Sequence, residues 1–230
     1  MPQVCTILGP MRCGTSILSF SLFKHPEIYG IMNLSEKLYK STGLDPAFAV
    51  DLYVPLMKII AENEPRNNQD EKLFERQAKI VVERNHLPGN LHQKIDGAGF
   101  KILTIVRDPR ELILSALRWH KMPRHNKKGK SEGSWVEGFL GTWKKAIDAH
   151  IMLSENNDTY LIRHEDLCNQ PQEEALKLFN WMEISTESEF LESFAASYQE
   201  ASVRREEDES YEVHLTKSIV NYAKKAGYSL

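Results

Sequence analysis

The sequence predicts an α/β protein of three layers, a central parallel sheet with helices on both faces. Two observations carry this. Short apolar runs, QVCTILG near the start, FKILTIV in the middle and TYLIR at 159–163, alternate with stretches of helical spacing. Strands that alternate with helices form βαβ units, whose parallel sheets are covered on both sides. The first two runs also end in turn signals, a glycine in one and Arg-Asp-Pro in the other, and pass directly into a helix pattern. With 230 residues, 41% of them hydrophobic and 27% charged, the chain can bury one sizeable core, and the reading is one domain over residues 1–230.

Taken in order, QVCTIL is a buried strand and TSILSFSLFKH a helix apolar on several faces, as a covered helix is. EIYGI at 27–31 reads as a second strand, and 47–63 and 70–85 read as helices separated by the polar NEPRNNQD. FKILTIV at 100–106 is a strand of wholly buried character. Asp108 supplies an N-cap and Pro109 a first helical residue for RELILSALRWH. Residues 135–154 are helical, TYLIR is a further strand, and Pro171 opens the amphipathic QEEALKLFNWM. The remainder to Leu230 reads as helix interrupted by the acidic EEDE at 206–209.

Composition bounds the function. No run of about 18 apolar residues is present, so no membrane insertion is expected. No basic n-region or small-residue cleavage site precedes the first strand, so no secretory signal is expected either. Cys5, Cys13 and Cys168 have the spacing of neither a disulfide framework nor a metal site, which fits a reducing cytoplasm. A net charge of −3 argues against a nucleic-acid partner.

The chemistry concentrates in LGPMRCGTSIL, residues 8–18. Gly9, Gly14 and Ser16 stand where a phosphate-binding loop places them, but Thr15 occupies the position of its lysine. Loop amides and the positive end of the next helix still make an anion site, Arg12 adds a planar cation, and Thr15 and Ser16 add hydroxyls. A second anion site is expected at RDPRELILS. Arg107 ends a strand, and Ser115 lies about 9 Å along the helix from Pro109, at about 1.5 Å per residue, leaning back toward the same end. Both sites share one crevice if their strands are neighbours, because ligands of such sheets sit beyond the carboxyl ends of the strands.

GPMRCGTS resembles the 5′-phosphosulfate loop of sulfotransferases that use 3′-phosphoadenosine 5′-phosphosulfate (PAPS). RDPRELILSALRW is similar to their 3′-phosphate motif, and YLIRHEDL with Pro171 resembles a third segment of that family. The resemblance implies a P-loop NTPase-like fold and sulfuryl transfer to a hydroxyl or amine of a small-molecule or carbohydrate acceptor. It assigns Arg12, Cys13, Gly14, Thr15 and Ser16 to the 5′ end of the donor, and Arg107 and Ser115 to the 3′-phosphate. Arginine at position 12, where many cytosolic relatives have lysine, is similar to carbohydrate-modifying branches. The same branches place a glutamate where Glu36 stands, which makes it the candidate general base, with His25 and His120 as rivals. Arg12 would stabilise the charge of the transferred group, and no metal is called for.

Several features stay outside that scheme. A lowered thiol pKa is the expectation for Cys13 at a helix N-terminus. HKMPRHNKKGK at 120–130, with five Lys/Arg and no acid, reads as a surface loop that a lid or acceptor grip would compete with. Arg204 and Arg205 are weak candidates for closing over the 3′-phosphate, while Tyr39, Phe48 and Tyr53 read as core. Two other classes remain open: a P-loop kinase or NTPase, and a nucleotide-binding protein without catalysis.

Overall fold

The first strand, β1 (Gln3–Leu8), is buried at every residue after the first, which requires neighbours on both edges and cover on both faces. The structure, a computed structural model, describes residues 2–43, 50–63, 78–85, 91–121, 131–203 and 215–229. In it β1 lies at the centre of a five-stranded sheet of order β2-β3-β1-β4-β5. β2 is Ile28–Met32, β3 Ile80–Asn85, β4 Lys101–Val106 and β5 Thr159–Arg163. Every pairing is parallel.

Helices cover both faces, as alternating strands and helices demand. After β1 comes α1 (Thr15–Phe23), after β2 comes α2 (Leu34–Thr42), and α3 (Tyr53–Glu62) follows before β3. A short α4 (Leu91–Ile95) precedes β4, and α5 (Pro109–Lys121) and α6 (Glu132–Leu153) lie between β4 and β5. The chain ends in α7 (His164–Asn169), α8 (Pro171–Met182), α9 (Ser188–Val203) and α10 (Lys217–Lys225). One face of the sheet buries Ile7, Val82 and Ile105 with Leu18 and Leu22 of α1, Phe179 of α8 and Phe194 of α9. The other buries Leu8, Val81 and Ile102 with Tyr53 and Met57 of α3. A third cluster joins α5, α6 and α10 through Leu112, Trp143 and Ile219. A fully buried Leu or Ile contributes about 1.5–3 kcal/mol, so these layers hold the strand ends in fixed positions.

One expected element is wrong. Helix was expected over 70–85, but Ile80–Asn85 is the strand β3, inserted between β2 and β1, while 70–77 lie outside the described residues. The β-branched run Ile80, Val81, Val82 suits a pleated surface, and pairing along both edges overrides the apolar spacing of a helix. The second strand also begins one residue later than expected, at Ile28. Asp108 caps α5 as expected, its Oδ1 accepting from the amide of Arg110 at 2.8 Å. No helix among the described residues is long and apolar enough to cross a membrane.

Candidate active site

β1 and β4 are direct neighbours, so the turns that follow them open side by side at the carboxyl ends of the sheet. From β1 the chain crosses toward β2 and from β4 toward β5, which places the topological switch point between them.

The β1 turn is built around two glycines. A Cβ on Gly9 would lie 2.7 Å from Thr15 and 2.9 Å from the Ile105 carbonyl, so the loop can pass this close to β4 only without a side chain. Gly14 caps α1 at φ 91°, and a Cβ there would lie 2.5 Å from Nδ1 of His164. Arg12 is also left-handed, at φ 72°, and its carbonyl accepts from Nη1 of Arg107 at 3.2 Å. In return, Nε of Arg12 donates to Oγ of Ser115 at 3.0 Å. The residues expected at opposite ends of a donor are thus cross-linked into one basic surface. Ser115 keeps its own hydroxyl hydrogen to donate while it accepts from Arg12.

Burial, and then the like charges of Arg107 and Arg118, lower the proton affinity of Arg12 from its ordinary value. The Arg12 guanidinium also lies 5.4 Å from the centre of the Trp119 ring. Arg107 is paired with Glu111 at 3.2 Å. Its Nε is buried with no hydrogen-bond partner among the described residues. An unmet buried donor costs about 1–3 kcal/mol, so a guanidinium left in this state fits a site shaped for an anion.

Of the other loop residues, Thr15 is buried in the first turn of α1 and Ser16 is exposed in it. Cys13 is fully buried in the cluster of Val106, Leu112 and Trp143, and burial pushes its thiol pKa up, well above the usual range. The expectation of a lowered thiol pKa is therefore overturned: desolvation outweighs the helix terminus and the nearby Arg107.

The sequence reading missed Arg84. At the carboxyl end of β3 its Nη1 donates to Oγ of Ser16 at 2.6 Å and its Nη2 to Oδ1 of Asn33 at 3.2 Å. Its Nε, like that of Arg107, is buried and without a partner among the described residues. The signal was available: IVVER ends an apolar run in arginine just as FKILTIVR does. Assigning 70–85 to a helix concealed it. Glu36 sits in the first turn of α2 and pairs with Lys40 one turn on. Burial lowers the proton affinity of Arg84 from its ordinary value, against the opposing charges of Glu83 and then Glu36.

Of the rival histidines, one is remote from the crevice. His25 precedes β2, whose first residue pairs with the first of β3, so it stands at the amino end of the sheet, a strand length of roughly 17–20 Å from the crevice. Its Nε2 meets the Ser185 carbonyl at 3.0 Å and its Nδ1 accepts from the Glu27 amide at 3.2 Å. His120, at the end of α5, packs against Trp135. Tyr53 is core, as expected, although its hydroxyl reaches Glu83 at 2.9 Å. Cys5, Cys13 and Cys168 are buried thiols, none of them in a disulfide among the described residues. The segment 122–130, Phe48, Arg204 and Arg205 lie outside the described residues.

A family model described as the sulfotransferase domain matches residues 2–226. Sulfotransferase 2A1 of Rattus norvegicus is 27% identical over 143 residues, 59% of this chain and 50% of that protein, so the chain covers half the length of this relative. Among solved structures, the sulfotransferase domain from the curacin biosynthetic pathway superposes with a TM-score of 0.62 at 15% identity, over 100% of this chain and 99% of that one. Mouse sulfotransferase SULT7A1 complexed with PAP does so at 0.56 and 13%, over 97% and 74%. At these identities the structural likeness is one of fold.

Proposed function

The chain belongs to the sulfotransferase domain family, and we propose that residues 1–230 form one domain that transfers a sulfuryl group from PAPS to a hydroxyl or amine acceptor, releasing PAP. The observation that carries the reading is the pair of strand-end arginines, Arg84 and Arg107, that flank the glycine loop, each with a buried N–H that meets no acceptor among the described residues. Two cations on either side of one loop suit a donor with anionic groups at both ends. That PAP is held by a mouse protein of the same fold supports the choice of nucleotide.

In the transfer the S–O bond to the 5′-phosphate breaks and the acceptor oxygen or nitrogen bonds to sulfur. The acceptor's proton goes to a base, and the electron pair stays on the phosphate. Positioning and electrostatic stabilisation carry such a step, as in phosphoryl transfer. We assign the 5′ end to the loop amides, Arg12, Gly14, Thr15, Ser16 and Arg84, with Cys13 contributing backbone only. Arg107 and Ser115 take the 3′-phosphate. Arg12 and Arg84 balance charge on the leaving phosphate, and no metal is assigned a role.

Glu36 remains the base assigned from the sequence, near Arg84 on the first turn of α2. Small molecules or carbohydrates are the proposed acceptors and the cytoplasm the proposed compartment. The deciding experiment measures nucleotide binding without magnesium, then turnover over an acceptor panel. The reading predicts PAP binding that is indifferent to chelator and sulfated product from PAPS. Binding of ATP or GTP only with magnesium would replace it with a kinase or NTPase, and PAP binding without any sulfated product would leave a non-catalytic protein.

A further inference from the structure

We infer that Glu83 is a positioning residue, whose buried side chain clamps the first turn of α2 to the end of β3, and so keeps Asn33 on Arg84 and fixes the turn that carries Glu36. Successive residues of β3 point to opposite faces of the sheet. Arg84 turns toward α1 and Ser16, and Glu83 turns toward α3, where it is fully buried. Its Oε1 accepts from the Leu34 amide at 2.9 Å, and its Oε2 accepts from the Tyr53 hydroxyl at 2.9 Å. That hydroxyl is also 2.8 Å from Oγ1 of Thr6, the residue opposite Glu83 in the β1–β3 register.

The stitching follows the chain residue by residue. Asn33, at φ 53°, donates its amide to the Arg84 carbonyl at 3.0 Å and offers Oδ1 to the Arg84 guanidinium. An asparagine just before a helix ordinarily turns that oxygen onto the helix's own amides. Here it is committed to Arg84, and Glu83 supplies the acceptor for the first amide of α2 in its place, a carboxyl oxygen set at the positive end of the helix. Burying a carboxylate is costly unless every lone pair it needs is met, and a neutral side chain would fill the same core without that cost. What the glutamate adds is a fixed place for α2. The inference rests on the reading of Glu36 and Arg84 as acting on the transferred group.

The test uses the full chain carrying Glu83→Gln, with Tyr53→Phe as a milder variant that keeps the carboxylate and removes one bond to it. Amide exchange over 34–40, PAP affinity, kcat and acceptor KM are measured for each. A misplacement of about 1 Å can cost on the order of 10²-fold in rate, so Glu83→Gln is expected to lower kcat by roughly 10- to 100-fold. PAP affinity and acceptor KM stay within about 3-fold, with kcat counted per titrated PAP-binding site so that a lowered folded fraction does not enter it. Exchange over 34–40 quickens in both variants, more in Glu83→Gln, while α1 and α5 are unaffected. Unchanged exchange in α2, or quickened exchange with kcat retained, overturns the inference. Failure of the wild-type chain to use PAPS would overturn the proposed reaction, and the exchange measurement would still decide the clamp.

Discussion

Arg84 separates two ways in which a residue can matter to an anion. It holds Ser16 and Asn33 by its two terminal nitrogens, and its Nε meets no partner among the described residues. Replacing it with methionine retains the apolar stem and removes every donor. The expected loss in kcat is on the order of 10²–10³-fold, as for other preorganised donors, measured with saturating PAPS. Arg84→Lys should recover only part of this, because an ammonium cannot make both contacts in one plane. Gly14→Ala is a second test at this scale: φ 91° strains any side chain, and the new methyl would meet His164. PAP affinity should fall by about 5- to 30-fold, since roughly 1–2 kcal/mol of strain falls directly on the loop. Arg12, Arg107 and Ser115 were legible in the sequence because their spacing is local, a loop before a helix and one face of another. The reciprocal bonds between Arg12 and Ser115 and between Arg107 and the loop carbonyl were not, because they join residues 103 and 95 positions apart.

At the scale of elements, β1 and β4 were readable because a buried parallel strand is a continuous apolar run bounded by turn residues. β3 was not. Its Ile80–Val82 segment is short and ends in Glu83 and Arg84, charges that look like the polar face of a helix until Tyr53, Leu34 and Ser16 are present to receive them. The α1–β2 turn has its own test. Burial lowers the pKa of His25 from 6.5, against the opposing pull of Ser185 and Glu27, and burial lowers that of His150 as well. A depressed value in the folded state means the unfolded chain takes up these protons more readily. Stability present above pH 6.5 is therefore lost as pH falls from there through the lower folded values. Melting temperature should decline on acidification below 6.5, with a shallower decline in His25→Gln. A melting temperature that rises over that interval would contradict the sign. Gly30→Ala belongs here too: its methyl would enter the Phe23 ring, so β2 and α1 must part, at an expected cost of about 1–3 kcal/mol in a denaturant titration.

For the whole molecule, the sequence supports the class of fold but not the strand order, and the strand order makes the site. Nothing local in QVCTILG or FKILTIV shows that these strands pair, yet their adjacency places the glycine loop beside Arg107. Insertion of β3 on the other edge of β1 then brings Arg84 to the opposite side of the same loop. The central claim is that this crevice grips one nucleotide at both ends. Titration calorimetry with PAP and with AMP, which lacks the 3′-phosphate, tests it most directly, in wild type and in Arg107→Met. The account predicts that PAP binds wild type at least about 100-fold more tightly than AMP, as a pair of charge-assisted hydrogen bonds supplies, and that Arg107→Met removes most of that difference. Equal affinity of the wild-type chain for PAP and AMP would contradict it.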